Sequence, residues 1–269
     1  MLALRSGIAA VAISTGLLLA EATSAQDADD VAKQLANPIA SLISVPLQFN
    51  YDQDYGVDDS GERLFVNVQP VIPFDLNDKL NLISRTILPI IDQDGIPAAG
   101  NSQTGLGDTV QSLFFSPKLA TDSGWIWGAG PVFLLPTATD ETLGAEKWGA
   151  GPTAVALKQT GRWTYGGLAN HIESFAGASG RDDVSASFLQ PFLTYITPTQ
   201  TTIALNTEST YNWRTGDWSV PVNLLVNQLL KVGDQVLQLG AGVRYWAESP
   251  AGGPEGWGVR INVILVYPK

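Results

Sequence analysis

The sequence of 269 residues predicts an all-β fold: a transmembrane antiparallel up-and-down β-barrel of about twelve strands, with short periplasmic turns and longer extracellular loops. Three observations predict it. Stretches of roughly ten residues alternate apolar and polar side chains, as strands do when one face meets lipid and the other a lumen. The connectors between them alternate in length, one short and one long. Tryptophans stand at the ends of many stretches: Trp125, Trp127, Trp148, Trp163, Trp213, Trp218, Trp246 and Trp257. Aromatic belts at the two membrane interfaces give them a place.

Taken in order, the chain begins with a leader. Arg5 is its positive charge, residues 7–20 (GIAAVAISTGLLLA) are apolar, and Thr23-Ser24-Ala25 are small. This reads as a signal peptide over 1–25, its apolar run too short to span a membrane as a helix. A periplasmic lead-in follows over 26–37. Within it, 29–36 (DDVAKQLA) predicts a short helix that ends before Asn37-Pro38, because proline disfavours helix at the residue before it. The barrel is expected over 38–269.

Strands are expected at 39–51, 63–72, 80–90, 109–117, 125–135, 148–158, 163–174, 184–196, 201–213, 218–230, 236–247 and 257–267. The first shows the pattern. Ile43, Val45, Leu47, Phe49 and Tyr51 share one face, and Ser44, Pro46, Gln48 and Asn50 the other. In the last, Val259, Ile261, Val263, Leu265 and Tyr267 oppose Gly258, Arg260 and Asn262. Residues 74–78, 119–124, 159–162, 197–200 and 232–235 are short turns. Residues 52–62, 91–105, 137–146, 176–183 and 249–256 are longer loops, and 214–217 is short where a long loop is due. An even strand count places both ends of the barrel on the periplasmic side.

Composition narrows the function classes. After the leader no run approaches 18 apolar residues, so no membrane-spanning helix is expected. The formal net charge is -11, and cleavage leaves it unchanged because Arg5 and Glu21 cancel. An acidic chain lacks the electrostatic footprint of nucleic-acid binding. The acids gather in connectors, where they are solvated or meet cations at the rim. There is no cysteine, which removes disulfides, thiolate metal sites and a cysteine nucleophile. No metal site and no cofactor are expected, since one histidine and Asp92-Gln93-Asp94 make no ligand set. The expected partners are outer-membrane lipid and a small-molecule solute, and both a monomer and a homo-oligomer fit.

The single histidine also bears on catalysis. A hydrolase needs a serine with a base in reach. His171 and Glu173 share a face, and Ser174 points the other way. A serine could reach His171 only from another strand, so the expectation is a protein that is not an enzyme. Charged side chains facing lipid near the midplane cost about 2–4 kcal/mol, so arginines in strands are expected inside. The candidate lumen residues are Asn81, Arg85, His171, Glu173, Asn206, Glu208, Asn223, Arg244, Arg260 and Asn262. They line a pore or form a salt-bridged plug. An echo, Trp127-Gly128-Ala129-Gly130-Pro131 and Trp148-Gly149-Ala150-Gly151-Pro152, marks either a duplicated hairpin or a kink in the wall.

Several longer motifs carry a family resemblance. They include NPIASLISVP (37–46), QPVIPF (69–74), LNLISRTILPI (80–90), GLGDTVQSLFFSPK (105–118), WGAGPVFLLPT (127–137), EKWGAGPTAVALKQ (146–159), LANHIESFAG (168–177) and LNTESTYNW (205–213). Together they resemble bacterial outer-membrane proteins known simply as transporters, also grouped as the neuromedin U family. A more distant similarity is to barrel proteins of aromatic meta-cleavage degradation operons. The resemblance implies an outer-membrane channel for small solutes, with hydrophobic or aromatic ones among them. It implies no catalytic residues. The chain departs from the usual barrel ending on an aromatic residue, because Pro268-Lys269 follow Tyr267.

Overall fold

The computed structural model describes residues 25–56 and 58–267. All but the last residue of the expected signal peptide, and the Pro268-Lys269 ending, lie outside the described residues. One helix and fifteen strands follow in chain order: α1 (Ala25–Leu35), β1 (Ile43–Tyr55), β2 (Gly61–Val68), β3 (Val71–Asp75), β4 (Leu80–Asp94), β5 (Ser102–Leu106), β6 (Thr109–Pro117) and β7 (Trp125–Leu135). Then come β8 (Lys147–Thr160), β9 (Trp163–Gly177), β10 (Ser185–Ile196), β11 (Thr201–Thr207), β12 (Ser209–Asn212), β13 (Trp218–Val232), β14 (Gln235–Glu248) and β15 (Gly256–Tyr267).

The strands form twelve staves, because β2 with β3, β5 with β6 and β11 with β12 are single staves each interrupted once. Every pairing is antiparallel between chain neighbours, and β15 pairs with β1 from Ile43↔Tyr267 to Tyr51↔Val259. The barrel is closed, so no edge is left with unpaired backbone in lipid. One interruption has a plain cause. Glu208, between β11 and β12, lies opposite Pro221, which has no N–H to donate; only the Glu208 N–H to Pro221 carbonyl bond remains, at 3.3 Å.

Three expectations shift. The first strand begins at Ile43, not at 39, because Asn37 to Ala40 form a turn that buries Ile39 and Ala40. β4 runs on to Asp94 and pairs with β5 where a loop was expected. There the outward residues are polar: Asp92 accepts from Thr104 Oγ1 at 2.5 Å. This part of the wall reads as rising above the lipid, so the apolar-out signal that marks a strand is lost while the backbone pairing continues. The expected helix starts earlier, at Ala25.

The outer face is apolar between two aromatic rows. Trp125, Trp127, Trp163, Tyr165 and Phe115 are exposed near the short-turn end, and Trp148, Phe175, Trp213, Tyr245 and Trp257 near the long-loop end. Trp246 leaves the pattern. It turns inward, where the Arg244 guanidinium lies 4.6 Å from its ring centre.

The wall weakens at the echoed motif. Pro131 and Pro152 face each other across β7 and β8. Pairing lapses beside both: β6 and β7 skip Leu113 and Phe114, and β8 and β9 skip Gly151 and Pro152. Each proline lacks the N–H its outer neighbour would bond, so the β7–β8 hairpin has a gap in the ladder on both flanks.

Candidate functional site

The lumen has two unlike walls. Ile83, Phe114, Val155, Leu157 and Leu168 turn inward from β4, β6, β8 and β9 and pack with Ile39 and Val71. The other wall, from β1, β2, β11 and β13 to β15, is polar. Its centre is Arg260, 1% exposed. The guanidinium donates from Nη1 and Nη2 to Glu208 Oε1 and Oε2 at 2.9 and 2.7 Å, and from Nε to Asn50 Oδ1 at 2.7 Å. This is the paired fork that arginine makes with carboxylate. Arg244 donates to the same Asn50 oxygen at 3.2 Å and lies 3.5 Å from Asp52, whose side chain is fully buried. Asn223 donates to Asn206 at 2.9 Å, and Asn262 to Asn227 at 3.4 Å. Arg85 donates to Gln69 at 3.1 Å.

Eight of the ten expected lumen residues therefore lie on the inner face: Asn81, Arg85, Asn206, Glu208, Asn223, Arg244, Arg260 and Asn262. Asn81 reaches the segment just before β1, donating to Ser41 Oγ at 3.0 Å. His171 and Glu173 are corrections. They share the face of exposed Trp163, Tyr165 and Ala169, outside the barrel. The reason is parity: Leu168 and Ile172 of the same strand are buried inward, so 171 and 173 point out. Near the long-loop rim that position is polar enough for charge.

The outward pair belongs to a cluster that chain spacing does not reveal. Ser187, opposite His171 on β10, places Oγ 3.0 Å from His171 Nδ1. Glu173 lies 3.7 Å from His171 Nε2. A serine, an imidazole and a carboxylate in line are the parts of a hydrolytic triad. Here the parts are engaged otherwise. Trp213 Nε1 donates to Ser187 Oγ at 2.9 Å, and Arg214 holds Glu173 at 3.1 Å. Sequence reasoning missed Ser187 because cross-strand register is not written in local spacing.

Separate segments fold in at both ends of the lumen. At the short-turn end α1 packs with Ala28 and Ala32 buried. Gln159 donates to the Lys33 carbonyl at 2.8 Å, Gln200 to Asp29 at 3.4 Å, and Arg162 lies 3.9 Å from Asp29. At the other end the 136–146 loop folds over β5. Asp108 accepts from the Ala138 and Ala145 amides at 3.2 and 2.6 Å, and Leu143 is buried. Arg181 ties that loop to 178–184 through the Glu141 and Gly144 carbonyls at 2.7 and 2.6 Å.

Lys147 clasps the 178–184 loop through Asp183 at 3.0 Å. That hydrogen bond and charge hold the Asp183 carboxyl below the ordinary aspartate range. A depressed carboxylate contributes its stability above its unfolded pKa, and loses it as pH falls through its folded value. Pepsin cleavage in the loop is therefore expected to stay slow from pH 5 down to about 4 and to rise only below it. Lys147→Ala should move that onset upward.

No family model matches the chain, and no curated protein does. Solved structures do match. An outer membrane channel from Pseudomonas putida F1 is similar over 84% of this chain and 96% of its own, at 17% identity and a TM-score of 0.64. The outer membrane phospholipase of Salmonella typhi covers 88% of this chain and 98% of its own, at 12% identity and a TM-score of 0.47. Outer membrane phospholipase A from Escherichia coli covers 89% and 98%, at 11% identity and a TM-score of 0.49. The first likeness establishes a common barrel fold; the two phospholipases are looser matches.

Proposed function

We propose that this chain is an outer-membrane channel or transporter that passes small solutes passively, hydrophobic or aromatic ones among them. Export by the 1–25 leader, residence in the outer membrane and kinship with the transporter group belong to the same reading. One observation carries it: the lumen keeps cavities along its polar wall, and separate segments, α1 and the 136–146 loop, fold in at its two ends. A barrel that serves only as a wall needs no such division, because side chains alone can fill it. Neither metal nor cofactor enters the reading.

The test is planar-bilayer conductance and liposome flux of the refolded mature chain, beside a variant lacking 26–35. Small conductance is expected from the full chain, and larger conductance from the variant. No current and no flux from either would sink the channel and favour a structural or adhesion-type barrel with a closed lumen.

A second reading, a lipid-modifying enzyme, is favoured by Ser187, His171 and Glu173 alone. Trp213 over the serine oxygen and Arg214 on the glutamate argue for a rim-stabilising role instead. Phospholipid hydrolysis by the purified protein is expected to be absent. Hydrolysis that disappears in His171→Ala would establish the enzyme.

A further inference from the structure

The central belt of the lumen carries more positive charge than it neutralises. Arg63, Arg85, Arg244 and Arg260 face inward, against Glu208 and Asp52. Both carboxylates are taken: Glu208 by the Arg260 fork, Asp52 by Arg244. Arg63 donates to Gln93 and stacks 4.8 Å from the Tyr55 ring centre. Arg85 has no ring and no carboxylate within ion-pair distance; Glu208, held by Arg260, acts on it only from farther off. Among the described residues its side chain makes one hydrogen bond, to Gln69, and no ion pair. A half-buried cation whose nearest carboxylate is already forked to another arginine keeps donors free for a further anion.

The space around Arg85 is open. Two cavities, of about 150 and 190 Å³, share Leu35, Pro46, Gln69, Arg85 and Ile264 in their walls. The guanidinium thus stands where they meet. The smaller cavity continues to Val71 and Ala40, the larger to Ala204 and Leu225. Apolar side chains therefore lie on either side of Arg85, and the larger cavity also holds the Glu208–Arg260 pair.

We propose that Arg85 anchors a binding site for a small monocarboxylate with an apolar body. The carboxylate takes the free edge of the guanidinium, whose planar fork matches two oxygens. The apolar body lies against Leu225, Ile264 and Leu35. Gln69 is the positioning residue: it accepts from Arg85 Nη2 and in turn donates to Gln48 at 3.3 Å. The site names a solute class for the proposed channel and rests on that reading for the solute's passage.

Calorimetric titration of the full mature barrel in detergent with benzoate, and with benzamide as its neutral isostere, tests it. Benzoate is expected to bind at least about tenfold more tightly, the scale of a charged hydrogen bond. Arg85→Gln should lose that preference and Arg85→Lys keep part of it. Equal binding of the two probes to the unaltered chain overturns the site, whether or not the variant assembles. So does a preference that survives in folded Arg85→Gln, or inorganic phosphate competing as well as benzoate. A barrel that conducts without distinguishing the probes ends this site and leaves the channel standing. One that binds benzoate and passes neither current nor solute ends the channel alone.

Discussion

Arg260→Ala is expected to destabilise the barrel by about 3–5 kcal/mol, the range for removing one partner of a buried ion pair. Arg260 is 1% exposed and the Glu208 side chain 19%. The truncation would strand Glu208 without its fork and remove the Nε donor from Asn50. Asn50 also accepts from Arg244, so the loss spreads to the neighbouring arginine. Replacing both partners, Arg260→Met with Glu208→Leu, should recover most of the loss, because apolar side chains of similar volume leave no orphaned charge. Urea unfolding in lipid vesicles, followed by tryptophan fluorescence, measures both. A cost for Arg260→Ala within about 1 kcal/mol would mean that lumen water solvates the pair as it does at a surface.

Gly130→Ala and Gly151→Ala are each expected to cost about 1–3 kcal/mol, the range for overpacking. A Cβ at Gly130 would fall on the Leu113 carbonyl oxygen, and one at Gly151 on the His171 carbonyl oxygen. Both glycines precede the facing prolines, where the ladder is interrupted and the neighbouring backbone comes close. The obstacle is backbone, which cannot rotate away as a side chain would. Alanine at Gly161, whose Cβ would meet nothing within 4 Å, is the contrast. It pays only for its left-handed backbone, φ 60°, roughly 1–2 kcal/mol. If Gly151→Ala unfolds at the parent urea midpoint, the close approach is not a constraint on the wall.

Much of the architecture was legible because each strand states its own faces. Phe49 and Tyr51 outward with Asn50 and Asp52 inward needs only the two-residue period of a strand. The same period, with the cost of charge in lipid, sorted Arg85, Arg244 and Arg260 inward. It failed at His171 and Glu173, where polarity was read as a lumen signal although the flanking Leu168 and Ile172 point inside. It failed again for β5, where the outer face is polar, and for Trp246, an aromatic that stacks on an inner arginine.

Alternation and connector length, both local properties, were enough to determine a closed antiparallel barrel and most of the residues expected to line it. Which inward residues meet was decided only by closure. Asn50 on β1, Glu208 between β11 and β12, and Arg260 on β15 converge because β15 pairs with β1 and the staves curve round to face one another. Ser187 met His171 through the β9–β10 register in the same way. Chain spacing carries the face of a residue. Its partner across a lumen or a ladder depends on stagger and curvature summed over the whole wall, and these exist only once the barrel has closed.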